Sequence, residues 1–484
     1  MPFALAIDLG TSSIRASLWD DRGCPVGEMV RNPTSAASTD GGNGQFDAER
    51  LLEILESTLD EALARAGASA CQIVAVGTSC FWHSLLGVNE AGEAVTSVST
   101  WANTNAHETA ARMRASNDES AYHRRTGAML HSSYPIVRIA WSIEQAGSSS
   151  GPVAKWMSFA DFVRFRLFGE CATGASMASG TGLFDSNAND WDAESLAMAG
   201  VERSQLPILS ELPASGLAGP YATRWPAIAM VPWFPAVGDG ACATIGSGCV
   251  GSGRMALTLG TSGALRVVIE AGRVEIPDGL FAYRIDGRRW VVGGALSEGG
   301  GVVKWLCSML GLTLGAELDA EIDSIPPDSH GLTLLPFAAG ERSPGWKDDA
   351  RCTISGLALD TRPVAIARAA LESVAFRFQL IADRLREFAP VSAEIVGSGE
   401  ALGASPAWCR ILADTLGCRL VLPGLAESTS RGAALLALEA TGDIGRLDEV
   451  PALASRTFEP DAAVLDVYRA AADRQQKLYD AIIS

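Results

Sequence analysis

Apolar positions along this chain switch between a strand period and a helix period, and the order of the switches occurs twice. The opening FALAIDLG is an apolar run that stops at Asp8 and Gly10, as a buried strand does. SIRASLWDDRGCPVGEMV then alternates through Ile14, Ala16 and Leu18 and turns at DDRG, which predicts a hairpin. Over 46–67 the period lengthens: Leu51, Leu52, Ile54, Leu55, Leu59 and Leu63 share one helical face, with Asp47 placed to cap the start and Gly67 to close the end. CQIVAVGTS returns to a buried strand. The second half repeats this order. RMALTLG reads as a strand, TSG as a bend and ALRVVIEAGRV as the extended return. PVAIARAALESVAFRFQLIADRLREF predicts a long amphipathic helix, SAEIVGSGE a strand and turn, and SPAWCRILADTLG a helix capped by Ser405 with Pro406 in its first turn.

The tetrapeptide Leu-Gly-Thr-Ser closes the first strand of each half, at 9–12 and 259–262. Between the halves, VGDGACATIGSGCVGSG (237–253) is dense in glycine and small residues. It is the expected junction, a joint on which two lobes close over a ligand. The expected architecture is two similar α/β units, residues 1–245 and 246–484.

Composition narrows the function. The 484 residues are 48% apolar and 19% charged, enough to bury two cores. A net charge of −18, with no dense Lys/Arg cluster, argues against nucleic acid as a partner. It does not argue against a nucleotide, whose phosphates can be held by backbone N–H groups and a metal ion. The ten cysteines form no Cys-x-x-Cys pair and read as small core residues of a reducing compartment. The N-terminus lacks the basic and apolar regions of a secretion signal, and the longest apolar stretch is broken by Lys304, so a cytoplasmic protein without membrane contact is expected.

A strand that ends in Gly-Thr-Ser and turns back offers several N–H groups and two hydroxyls, with no Cβ at Gly10 or Gly260 to obstruct an anion. Two such bends facing one another can grip successive phosphates of one nucleotide. GSGCVG at 246–251 fits the dinucleotide pattern GxGxxG, but a strand-like RMALTLG follows where a helix must start, so a dehydrogenase is not expected.

These segments resemble the FGGY carbohydrate kinases, two-lobed ATP-dependent enzymes of the actin and Hsp70 architecture. VGDGACATIGSG is similar to their catalytic segment, LTLGTSG to their second phosphate loop, and GERSP with ISGLAL to their C-terminal lobe motif. VGSGEALGASPAWCRILADTLG is similar to their adenosine-binding turn and helix, and RGAALLALEATG to their closing helix. Within the family the N-terminal lobe most resembles the gluconate kinases, on FWHSLLGVNEAGEAV, TGAMLHSSYPIVRIAW and SMASGTGLFD.

The resemblance implies two ribonuclease H-like domains with a nucleotide and sugar cleft between them. It implies ATP and Mg²⁺ as cofactors and a sugar or sugar acid as partner, D-gluconate giving 6-phosphogluconate; a homodimer is left open. By position, Asp239 matches the general base and Asp8 the carboxylate that faces Mg²⁺ through water. Gly10, Thr11 and Ser12 match the first phosphate loop, and Gly260 and Thr261 the second. Gly300, Lys304, Gly397, Ser398 and Gly399 match positions near the nucleotide. Trp82, His83, Trp101, Asn103 and Asp239 match the sugar side. The family usually carries Trp-x-Asp-x-Arg where this chain has Trp101, Asn103 and Asn105, so amides replace a carboxylate and a guanidinium and the hydroxyl pattern read there differs. The carboxylate of a sugar acid would need a cationic or N–H partner, with Arg15, His83, His131 and Arg138 as candidates. Two other readings remain: a kinase of a ketose such as xylulose or ribulose, and a nucleotide-regulated ATPase of the actin/Hsp70 type without a sugar substrate.

Overall fold

A computed structural model describes residues 2–39, 44–145, 153–390, 392–424, 427–450 and 454–483. Strand Phe3–Leu9 is buried along its whole length and pairs antiparallel with Ser13–Trp19, which pairs antiparallel with Pro25–Pro33. On its other side Phe3–Leu9 pairs parallel with Ile73–Cys80, which pairs parallel with the short strand Val237–Gly238. Three antiparallel strands followed by two parallel ones make the first sheet.

The second sheet reproduces this plan. Arg254–Leu259 pairs antiparallel with Gly263–Glu270, and that strand with Arg289–Leu296, while Glu394–Ser398 and Leu420–Pro423 continue in parallel from Arg254–Leu259. Two edge strands, Phe281–Arg284 and Ala454–Phe458, extend it to seven. The equivalent helices pack on equivalent strands: Ala48–Ala66 on the first hairpin and Pro363–Arg384 on the second.

Their ends form where the local chemistry dictates. Asp47 accepts a hydrogen bond from the Arg50 N–H, Ser405 accepts one from the Trp408 N–H, and Pro406 occupies the first turn. Each such cap contributes on the order of 1 kcal/mol.

Residues 237–253 are not a loose linker. Val237–Gly238 is a strand of the first sheet and Asp239–Gly246 is a helix, so only Ser247–Gly253 is left to connect the sheets. The small residues serve close packing. Helix Ser428–Thr441, from the far end of the chain, crosses back to lie on the Asp239 helix and on strands Phe3–Leu9 and Ile73–Cys80. A Cβ at Gly246 would stand 1.8 Å from the Ser428 carbonyl oxygen, one at Gly432 1.9 Å from that of Cys242, and one at Gly77 2.1 Å from that of Ala433. Each glycine therefore lets backbone meet backbone.

Between strands Ile73–Cys80 and Val237–Gly238 the chain inserts a helical cap that includes helices Glu119–Thr126 and Pro135–Gln145. This cap meets the second lobe directly. The Tyr134 and Tyr283 hydroxyls lie 2.6 Å apart, His123 Nε2 lies 2.6 Å from the Leu280 carbonyl oxygen, and Phe281, Tyr283 and Trp346 belong to the same apolar core as the cap. Among the described residues no helix is long and apolar enough to cross a membrane, and no disulfide is present.

Candidate active site

A cavity of about 300 Å³ opens where the two lobes meet, and both Leu-Gly-Thr-Ser bends border it: Thr11 on one side, Thr258 and Ser262 on the other. Each bend is closed by its own backbone. Gly10 N–H donates to Ser13 O at 3.2 Å, and Gly260 N–H donates to Ser262 O at 2.9 Å. The second bend is also braced from behind, because Gly300 N–H donates to Gly260 O and the N–H groups of Gly299 and Gly301 donate to Thr261 O. A Cβ on Gly300 would come 2.9 Å from Gly260 O, so this glycine supports the bend. Gly260 faces open space instead: a Cβ there would meet nothing within 4 Å.

Gly397 and Ser398 end the strand beside the second bend, in register with Leu257 and Thr258, and Ser398 Oγ lies 3.3 Å from Thr258 Oγ1. Gly399 turns there with φ of 106°, against Leu259. These positions share one edge of the second sheet. Lys304 is on the exposed face of helix Gly300–Met309, one turn from the bend.

Asp239 is the first residue of its helix and reaches the cavity. The Gly240 N–H donates to its Oδ1 at 2.8 Å. Burial pushes its carboxyl above the ordinary range, opposed by the nearby Arg266 guanidinium and by backbone N–H donors. Asp8 stands on strand Phe3–Leu9, one strand removed from Val237–Gly238 in the first sheet, with Arg15 Nη1 donating to its Oδ2 at 2.7 Å across the hairpin. Burial raises Asp8 to about 6, Arg15 opposes the rise, and the charge of Asp239 adds to it. Two desolvated carboxylates that repel one another are a fit for a divalent cation, and Asp8 would hold Mg²⁺ there.

The acid limb follows from this pair. The kcat/KM profile of the free enzyme is expected to fall on acidification with a limb near pH 6, because Asp8 titrates at about 6 in the fold. The folded pKa of Asp8 exceeds the model-compound value of 3.8, so its stabilising contribution is complete below that value and is lost as the pH rises through about 6. Activity and this part of the stability therefore run in opposite directions over one pH window. Raising Mg²⁺ should move the limb to lower pH; a limb near 3.8, insensitive to Mg²⁺, would contradict the assignment.

On the sugar side the structure departs from the sequence expectation at several residues. Trp82 lines the cavity, but its indole N–H is taken by Ser176 O at 2.9 Å and its ring packs over Gly238, where a Cβ would lie 1.8 Å from a ring atom. It forms a wall beneath Asp239. His83 has φ of 63° and its Nδ1 lies 2.6 Å from Gly180 O. Since a carbonyl only accepts, Nδ1 carries the proton and Nε2 is an acceptor. Burial pulls the imidazole down to about 3, so His83 is neutral and cannot pair with a carboxylate.

Trp101 is exposed at the cavity rim. Asn103 is not in this cavity. Its Oδ1 accepts from the Asn105 N–H at 3.0 Å, a local turn, and its side chain borders a separate cavity of about 690 Å³ within the first lobe. Asn105 faces solvent. Arg138 borders that second cavity and donates to Ser99 Oγ and the Thr100, Ser133 and His83 carbonyls. His131 Nε2 is 2.5 Å from Asp348, and Arg15 holds Asp8. Each of the four cationic candidates already holds a protein acceptor, with Nε of Arg15 and of Arg138 left buried without a partner.

Two arginines occupy that place instead. Arg266 and Arg342 line the cavity together with Asp239. Both lie inside motifs visible in the sequence, GALRVV and GERSP, and for Arg266 the available signal was a lone charge in an otherwise apolar strand.

A carboxylate between two lobes, facing two phosphate-type bends, defines a two-lobed phosphotransferase cleft. The chain belongs to the FGGY family of carbohydrate kinases: residues 3–246 match the family's N-terminal domain and residues 255–441 its C-terminal domain. It is 26% identical to a gluconokinase of Bacillus subtilis over 94% of this chain and 91% of that one. It is 31% identical to a glycerol kinase of Leptothrix cholodnii over 95% of each. Among solved structures it is similar in fold to a xylulose kinase and a gluconate kinase of Lactobacillus acidophilus, each with a TM-score of 0.91 and 24% identity; coverage is 100% of this chain and 99% of the former, 99% and 98% for the latter.

Proposed function

We propose that this kinase transfers the γ-phosphoryl group of ATP to the terminal hydroxyl of a sugar acid, D-gluconate, to give 6-phosphogluconate. The observation that carries the reading is the Asp239 carboxylate in a cavity bordered by both bends. In the reaction the acceptor oxygen attacks the γ-phosphorus as Asp239 takes the hydroxyl proton. The new O–P bond forms as the bond to the β-phosphate oxygen breaks, and ADP leaves. Backbone N–H groups and hydroxyls of Thr11, Ser12 and Thr261 hold the phosphates against Gly10 and Gly260, whose own N–H groups close the bends, while Gly397, Ser398 and Gly399 offer a backbone surface to the adenosine. Mg²⁺ beside Asp8 would neutralise phosphate charge. His83 Nε2 accepts from an acceptor hydroxyl, and the wall formed by Trp82 keeps water from the reacting oxygen.

Two lines support an acidic acceptor. Two gluconokinases, at 26% and 25% identity, match over nearly the whole chain, and the cavity carries two guanidiniums against one carboxylate. A neutral ketose or polyol is the second reading, on the likeness to xylulose and glycerol kinases. A panel of aldonic acids, ketoses and polyols assayed for ADP release with Mg²⁺–ATP tests both. D-Gluconate is expected to give the highest kcat/KM; a ketose exceeding every acid would overturn the assignment.

A further inference from the structure

Arg266 reaches from the second sheet toward the first turn of the Asp239 helix. Its stem passes Gly293, where a Cβ would lie 3.0 Å from the arginine Cγ. Its guanidinium lies over Gly240, where a Cβ would lie 3.0 Å from Nε. Its one hydrogen bond to protein is long, Nη1 to Thr258 Oγ1 at 3.3 Å, and Nε is buried without a partner. Arg342 approaches from the loop after Glu341. Its Nη2 donates to Leu296 O at 2.7 Å and its guanidinium stands 5.3 Å over the Trp101 ring.

Neither arginine makes an ion pair among the described residues, and their charges repel across one cavity: Arg342 is lowered to about 10, chiefly by burial and further by Arg266. Desolvated like charges with an unfilled N–H destabilise a fold unless an anion joins them. Asp239 is the one carboxylate lining that cavity, and as base it must face the acceptor hydroxyl. The phosphates already have two bends. Arg342 is instead among the aromatic rings of Trp101, Tyr134 and Trp346, on the acceptor side.

Resting on the sugar-acid reading above, we propose that Arg266 and Arg342 together bind the carboxylate of the acceptor and so select acids over neutral polyols. Guanidinium forks match carboxylate geometry, and two of them can share one carboxylate.

The test is calorimetric binding of D-gluconate to nucleotide-free protein, in the wild type, Arg266→Gln and Arg342→Gln, with unfolding temperatures as the check on folding. Each variant is expected to bind gluconate at least about 30-fold more weakly, the scale of a lost charged hydrogen bond. Binding of neutral D-glucitol should be unchanged. D-Gluconamide, the neutral analogue, should bind the wild type at least about 30-fold more weakly than gluconate, a measurement that needs no variant. Equal binding of gluconate and gluconamide overturns the proposal. So does unchanged gluconate affinity in both variants with kcat lowered alike for acidic and neutral acceptors, which assigns the arginines to the phosphoryl group. Gluconate phosphorylation with unchanged affinity in the variants removes this inference alone. A wild type that phosphorylates neutral acceptors and no sugar acid removes the sugar-acid reading as well.

Discussion

Replacing Asp239 by Asn is expected to lower kcat at least about 100-fold, the lower end of what a positioned general base contributes. The variant isolates proton acceptance from shape. Asn keeps a side-chain oxygen for the Gly240 N–H, now 2.8 Å from Oδ1, and occupies nearly the same volume at the helix start. It cannot take a proton from an attacking hydroxyl. The fold should not suffer, because burial already raises the Asp239 carboxyl and an ionised group there is destabilising at neutral pH. An unfolding temperature equal to or above that of the wild type is therefore expected together with the lost turnover. Unchanged kcat in a folded variant would remove Asp239 from the chemistry.

The second large effect is expected at Gly260. This glycine is outside the left-handed region and has empty space where a Cβ would stand, so Gly260→Val is accommodated by the protein itself. The side chain would fill the hollow assigned to a phosphate. Losing two charged hydrogen bonds of about 1.5–3 kcal/mol each raises the Kd for ATP about 100-fold or more. Gluconate binding without nucleotide, and the unfolding temperature, should be unchanged. Gly399 is the contrast: its φ of 106° and the Leu259 O at 2.3 Å from a Cβ make substitution there a folding defect. ATP binding by Gly260→Val at wild-type affinity would show that the second bend does not hold the nucleotide.

Local chemistry in the sequence marked much of this molecule. The strand that ends at Leu9, the helix begun by Asp47 and the helix begun by Ser405 are decided by contacts within a few residues, and they stand where periodicity and caps indicate. The repeated Leu-Gly-Thr-Ser bends likewise occupy equivalent edges of two sheets with one plan. What stayed hidden depends on residues far apart in the chain. The glycines of 237–253 suggest looseness when read locally, yet Gly246 is small because helix Ser428–Thr441 returns across it.

The sugar side was hidden for the same reason. His83 looked cationic until Gly180, 97 residues on, was seen to hold its ring. Asn103 looked like a change in sugar recognition, but a turn with Asn105 consumes its oxygen. Arg266 and Arg342 acquire a meaning only when the fold brings them into one cavity with Asp239.

A crystal structure with D-gluconate and a non-hydrolysable ATP analogue tests the central claim most directly. The Asp239 carboxylate is expected within about 2.6–3.2 Å of the terminal hydroxyl, with the γ-phosphate between the bends at Gly10–Ser12 and Gly260–Thr261. An acceptor whose terminal hydroxyl is turned away from Asp239, or a nucleotide that touches only one bend, would contradict it.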